Sequence, residues 1–274
     1  MPRSLREYAK RQFTGHSIDP VERNFRLDEA GATIICRIDE TISFIAPVSC
    51  RSDLAHYTVS LEGRAEFAAL VDAATSPGGV LFDIGAHCGL ISTLWCAAQP
   101  ANRAFSFEPS PALVRRIAEI RDLNQFGDRM QINQAGIGEA ESTASMLIDP
   151  VGGFVQSQHF DHTMWSKPEA IEVSIESIQG ASDRLGVIPD VIKLDIEGYE
   201  FEAINGSVGF LTEHRPTLFL ELHLNYLEQR KLSPQRVVEL LQQCGYAFFT
   251  YSGIEFKAED VYGTPLAICH VVAK

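Results

Sequence analysis

From Gly79 onward, short apolar runs alternate with helical patterns, and this alternation restricts the fold more than any other feature of the chain. The runs are "GVLFDI", "AFSF", "MQINQA", "DVIKLDI" and "PTLFLEL". Helical periodicity appears over 89–98, 110–125, about 199–205 and 233–243. Runs this short and this continuously apolar suit strands covered on both faces, and the intervening helices supply parallel crossovers. Two last runs, "YAFFTYS" and "AICHVVA", flank "GIEFKAEDVYGTPL", which is too polar for a crossover helix, so they are expected as an antiparallel pair at the sheet edge. The fold class expected is α/β, with a doubly wound, mostly parallel, seven-stranded sheet.

Upstream, "ATIICRI" and "TISFIAPV" read as short strands and "EGRAEFAALVDAAT" as a helix. Residues 1–63 are therefore assigned to an N-terminal extension and 64–274 to the main domain. Within that domain 149–170, "DPVGGFVQSQHFDHTMWSKPEA", has turn residues at both ends and no period. It reads as a long inserted loop of the kind that often covers a site, with Gly152 and Gly153 as a hinge and His159, His162 and Trp165 facing an acceptor.

The net charge of −13, from 36 acidic and 23 basic residues, argues against nucleic acid as a partner, because phosphate binding needs a basic face. The basic start "MPRSLREYAKRQ" is read as a solvated helix, not a stable membrane anchor. No apolar run approaches the roughly 18 to 20 residues of a membrane helix, and no signal peptide is visible, so a cytoplasmic location is expected. Six cysteines show no C-x-x-C spacing, so the sequence suggests neither a zinc site nor a disulfide framework. A homo-oligomer is compatible with the chain.

In "VLFDIGAHCGLISTLW" a buried strand runs into Asp83, a turn bracketed by Gly85 and Gly89, and a helix whose face carries Leu90, Ile91 and Leu94. A dinucleotide fingerprint would be G-x-G-x-x-G, but His87 and Leu90 stand where its later glycines belong. An acid before the turn repels a pyrophosphate and suits a ligand that is cationic there. S-adenosylmethionine is such a ligand. The next strand ends in "SFEP", which places Glu108 where a carboxylate accepts ribose hydroxyls. Asp83 as a helix cap and Glu108 as a plain strand-end acid are the competing explanations.

Two further groups fall at strand ends. In "DVIKLDIEGYEFEAINGS", Lys193, Asp195 and Glu197 occupy alternate positions, and in "PTLFLELHLN" Glu221 and His223 share a face. Neighbouring strands of a parallel sheet open toward one crevice, so Asp195, Glu221 and His223 are expected to converge there. A histidine in that position is otherwise a rim residue.

Taken in order and spacing, "FDIGAHCGLIS", "FEPSP", "KLDIEGYEFEAINGS" and "LFLELH" resemble the FkbM family of S-adenosylmethionine-dependent methyltransferases. The resemblance covers about 64–250, and "KxDxEGxE" is its most specific element. It implies a class I methyltransferase fold, Rossmann-like, and O-methylation of a hydroxyl on a sugar, polyketide or other small metabolite or glycan acceptor. It also implies that Asp83, Gly85, Ala86, His87 and Gly89 form the cofactor loop, that Glu108 meets the ribose, and that Ile137 and Gly138 lie by the adenine. Two departures stand out. His87 replaces the usual Asn, and "SIESI" puts Glu176 where a Leu-Asp pair is common, with its carboxylate toward the acceptor.

Methyl transfer to a hydroxyl needs a base or a metal to make the oxygen nucleophilic. His223 is the expected base, with Glu221 above all raising its pKa and Asp195 beside it. No resident metal is expected, although Asp195 and Glu221 are ligands that Mg²⁺ accepts if a divalent ion is used. The alternatives are an NAD-dependent oxidoreductase or epimerase, against which the missing glycine counts, and a non-catalytic adenosyl-binding partner subunit.

Overall fold

A computed structural model describes residues 25–148, 155–157, 169–262 and 268–274. The start "MPRSLREYAKRQ", the hinge glycines and His159, His162 and Trp165 lie outside the described residues. Three short strands open the structure: β1 (Arg26–Ala30), β2 (Thr33–Arg37) and β3 (Ser43–Pro47), a small antiparallel sheet in that order. A 3-10 turn, Val48–Cys50, leads into helix α1 (Arg51–Val59) and then α2 (Leu61–Ala74). Helix α2 runs across the expected boundary at 63/64. Ile34, Cys36 and Phe44 of the small sheet share one core with Phe67, Leu70 and Trp95. On the outer side of β3, Asn124 takes the Ile45 N–H on its Oδ1 and donates Nδ2 to the Ile45 carbonyl, both at 2.7 Å.

The main sheet begins with β4 (Val80–Ile84), α3 (Leu90–Ala98), β5 (Arg103–Phe107), α4 (Pro111–Leu123) and β6 (Met130–Asn133). After β6 the chain forms β7 (Gly136–Ile137), β8 (Ser142–Ile148), β9 (Val155–Ser157) and β10 (Glu169–Glu176). These make a second sheet in the order β7-β10-β8-β9, in which β8 and β10 pair antiparallel over seven residues. Strand β9 and the first two residues of β10 fall inside the expected loop 149–170, a pairing that periodicity did not reveal. The remaining elements are α5 (Ile178–Leu185), β11 (Val191–Leu194), α6 (Glu200–Asn205), α7 (Val208–His214), β12 (Thr217–Leu222), α8 (Leu224–Gln229), α9 (Pro234–Gln243), β13 (Phe248–Phe249), β14 (Glu255–Phe256), α10 (Ala258–Tyr262) and β15 (Cys269–Ala273).

The large sheet has the order β14-β13-β15-β12-β11-β4-β5-β6. Seven of these are the expected strands, and β14 adds a two-residue fragment at the edge. The strands from β12 to β6 are mutually parallel, whereas β15 runs antiparallel between β12 and β13. Strand β4 is central because it is apolar on both faces: Leu81, Phe82 and Ile84 are fully buried, and the Phe82 ring meets those of Phe105 and Phe107 at 5.6 and 5.2 Å. Each such side chain contributes about 1.5–3 kcal/mol of burial free energy. Parallel pairing aligns the carboxyl ends of β4, β5, β11 and β12, and the acids at those ends therefore collect on one side.

Candidate active site

Asp83 is the penultimate residue of β4 and is buried, with Oδ2 accepting from the Ser92 N–H at 3.0 Å and from its hydroxyl at 2.7 Å. Ser92 is the third residue of α3, so Asp83 satisfies a helix-start donor from the preceding strand. Burial raises the Asp83 pKa, and the Ser92 hydrogen bonds and Lys193 oppose that rise. Gly85 follows at φ +78, and a Cβ there would stand 1.7 Å from the Asp195 carbonyl oxygen. The loop continues through His87 at φ +52 to Gly89 at φ +81. Glu108, just past β5, fixes this loop: its Oε2 accepts the His87 N–H and its Oε1 the Ser110 N–H, each at 2.9 Å. Burial pushes the Glu108 carboxyl up to about 8, against those two bonds.

The second half of the site is a charge cluster. Lys193 is 3% exposed, donates to Asp195 Oδ2 at 2.8 Å, and has Glu66 Oε1 at 3.7 Å and Glu221 Oε2 at 4.0 Å. Burial works against its charge, but Asp195, Glu66 and Glu221 outweigh burial and hold its pKa well above the ordinary value. For Asp195 burial pushes up, while Lys193 and His223 pull harder and leave it lowered. Glu221 is pushed up to about 7, by burial first and by the Asp195 charge second.

His223 lies one residue beyond β12, stacked parallel to the Tyr226 ring at 5.5 Å. Its Nδ1 meets Glu200 Oε1 at 2.9 Å. Its Nε2 faces Glu197 at 3.2 Å, Glu221 at 3.5 Å and Asp195 at 3.9 Å. Burial lowers its basicity, but the Glu200 hydrogen bond and the surrounding carboxylates carry its pKa up to about 9. Glu200, not Glu221, is the dominant partner. His223 is thus an imidazolium near neutral pH, and its folded pKa lies above the ordinary 6.5. The stability it contributes is complete below about pH 6.5 and is lost as pH rises through about 9. Relative to His223→Gln, the native protein should hold a margin on the order of 3 kcal/mol near pH 6 that disappears near pH 10. Urea unfolding at both pH values measures it, and a pH-independent margin would contradict the assignment.

Both halves border one cavity of about 830 Å³. Asp83, Gly85, Ala86, His87 and Glu108 line one part, Ile137 and Gly138 another, and Asp195, Glu197 and Glu221 a third. Gly89 and His223 are not on its wall. The imidazole stands behind the carboxylates it holds. Glu176 is also absent from the wall, because Arg184 binds it through two hydrogen bonds of 2.6 and 2.9 Å. The N-terminal extension adds Asp53, His56 and Tyr57 from α1, and α2 adds Glu66. The contacts of Glu66 with Lys193 and of Glu200 with His223 were missed in the sequence, although each residue left a trace. Glu66 lies four residues before the buried Leu70 on one helix face, and Glu200 is the last acid of "KxDxEGxE".

Among the described residues two groups bring possible ion ligands within 4.8 Å of one another: Asp195–Glu197–His223 and Cys50–Asp53–Cys88. The first does not include Glu221. Its anionic charge is already met by the Lys193 ammonium and the His223 imidazolium, so the donor set does not call for Mg²⁺.

The sequence profile of the methyltransferase FkbM domain matches residues 83–248, more than half of the chain. This chain belongs to the FkbM methyltransferase family. The fold agrees, being the Rossmann-like class I sheet with one antiparallel strand inserted near its end. Among solved structures, the methyltransferase FkbM from Methylobacillus flagellatus KT is 17% identical, with a TM-score of 0.43, and the match covers 72% of this chain but 43% of that one. The precorrin-6y C5,15-methyltransferase from Geobacter metallireducens GS-15 is 14% identical over 78% of this chain and 88% of that one, with a TM-score of 0.42. A SAM dependent methyltransferase from Agrobacterium tumefaciens is 11% identical over 90% and 70%, with a TM-score of 0.45. No curated protein is significantly similar in sequence. The described residues include no helix long and apolar enough to cross a membrane.

Proposed function

We propose that this FkbM-family chain transfers a methyl group from S-adenosylmethionine to a hydroxyl oxygen of a small-molecule or glycan acceptor, with Glu221 receiving the proton. The observation that carries the reading is that one cavity joins the glycine loop and Glu108 to Glu221, a carboxyl poised at about 7. The residues fit the cofactor. Asp195, held as a carboxylate by Lys193, faces the cavity, and the Glu108 carboxyl lies beside the glycine loop within reach of a ribose diol, a lining that suits an ammonium and a diol and disfavours a pyrophosphate. When bound, S-adenosylmethionine supplies the methyl group, activated by the positive sulfur it is attached to.

The chain's own residues do the rest. Gly85 to Gly89 and Glu108 shape the cofactor side, and Ile137 and Gly138 give an apolar surface for a base. Glu221 takes the acceptor proton as the oxygen attacks, because a base near the working pH balances availability against strength. Lys193 fixes Asp195, and the His223 imidazolium, held by Glu200, keeps Glu197, Glu221 and Asp195 together at the rim. The acceptor wall is assigned to His56, Tyr57 and Ala144 to Met146, which come from α1 and β8.

Calorimetry with S-adenosylmethionine and with NAD tests the cofactor. Binding of the first and not the second is expected. Glu108→Ala should weaken S-adenosylmethionine binding at least tenfold, about 1.4 kcal/mol, the scale of one buried hydrogen bond. Unchanged affinity in that variant would remove Glu108 from the cofactor site. A methyl-donor consumption assay against hydroxylated acceptors then tests the transfer itself.

A further inference from the structure

The second ligand group lies apart from the proton-transfer cluster. Cys50 ends the 3-10 turn that precedes α1, Asp53 is in the first turn of α1, and Cys88 sits inside the glycine loop between His87 and Gly89. Distant in sequence, they meet because the N-terminal extension packs on the loop. Both cysteines are free, at 0% and 2% exposure, and their sulfurs and an Asp53 oxygen all lie within 4.8 Å of one another.

We infer that Cys50, Cys88 and Asp53 form a binding site for one thiophilic divalent cation of the zinc class, joining the N-terminal extension to the glycine loop. Two sulfurs and one carboxylate oxygen are a donor set that zinc prefers and magnesium or calcium does not. In a tetrahedral site with Zn–S near 2.3 Å and Zn–O near 2.1 Å, ligand atoms stand about 3.4–3.8 Å apart, so closing the site needs movements of about 1 Å or less. Cys88 and Asp53 border the cavity, which gives the ion a path inward and leaves its fourth position on that side. His87 is beside that position, with Nδ1 3.6 Å from Asp53 Oδ1.

On binding, each sulfur still holding a proton releases it to solvent and donates a lone pair to the ion. No electron is transferred and no other reactant is consumed. The inference does not rest on methyl transfer, and its readout is spectral.

The test uses the full chain, freed of metal under a non-chelating reductant and titrated with Co²⁺. Expected are a thiolate-to-cobalt charge-transfer band in the near ultraviolet and the visible bands of a tetrahedral ion, saturating at one equivalent and displaced by Zn²⁺. Cys50→Ser and Cys88→Ser should each lose the ultraviolet band, and Asp53→Asn should shift the visible ones. Should the serine variants not fold by circular dichroism, alkylation of the native protein decides the matter. Zn²⁺ should slow iodoacetamide labelling at Cys50 and Cys88 at least tenfold and leave Cys36 and Cys244 unchanged, as read by mass mapping. Absence of the band in the native protein, its survival in both folded serine variants, or unprotected labelling would overturn the site. So would a native protein that takes up no cobalt and instead joins Cys50 to Cys88 in a disulfide once the reductant is removed.

Discussion

Glu221→Gln should lower turnover by about two to four orders of magnitude, the usual value of a positioned base, while cofactor affinity stays within a few-fold of native. In the native protein the rate should fall as pH drops through about 7, because burial and the Asp195 charge set the Glu221 carboxyl there and only its ionised form accepts a proton. The amide has no such ionisation, so that acid limb should vanish with the activity. Stability moves the opposite way. A carboxyl whose folded pKa exceeds its ordinary 4.5 contributes stability that is full below about pH 4.5 and lost as pH rises through about 7. Above neutrality the Gln variant should therefore be more stable than the native protein, by about 2–3 kcal/mol. A single substitution that slows the enzyme and hardens the fold is difficult to explain by misfolding. Native turnover with an unaltered acid limb would exclude Glu221 as the base.

Gly85→Ala should be nearly as damaging for a different reason. The position combines φ +78 with a 1.7 Å approach of any Cβ to the Asp195 carbonyl, and Asp195 itself hydrogen-bonds back to Ile84 at 3.1 Å. A methyl group there must separate the carboxyl ends of β4 and β11. The expected loss is at least about 3 kcal/mol, together with a hundredfold or greater fall in S-adenosylmethionine affinity. Gly127→Ala is the control. It shares a positive φ, +55, but has nothing within 4 Å, so only backbone strain of about 1 kcal/mol is expected. Equal destabilisation of the two variants in urea would show that the contact with Asp195 does not matter.

The parallel sheet was legible because its strands are apolar on both faces and its helices keep their period, as in Val80–Ile84 and Pro234–Gln243. The antiparallel pair near the end was legible from the polarity between its members. What escaped was half-exposed. Ser142–Ile148 and Glu169–Glu176 pair antiparallel with burial that alternates weakly, so neither segment carries the signal of a core strand. At the site, Asp195, Glu221 and His223 could be placed together because strand ends of one sheet share a side. Their protonation could not be ordered. That order depends on Glu200 and Glu66, which come from other elements and meet the cluster only in three dimensions. Cys50 and Cys88 likewise have no revealing spacing.

Asn124 has a consequence for how the molecule behaves in company. Strand β3 is the last of its sheet, and a bare backbone at such an edge is a template on which another chain can add a strand. By presenting a carboxamide to both the N–H and the carbonyl of Ile45, Asn124 imitates one residue of a neighbouring strand and occupies the middle of that edge. Because the amide is carried on a helix cap it cannot propagate, so the small sheet is terminated there and intermolecular strand addition along β3 has no free register in which to begin.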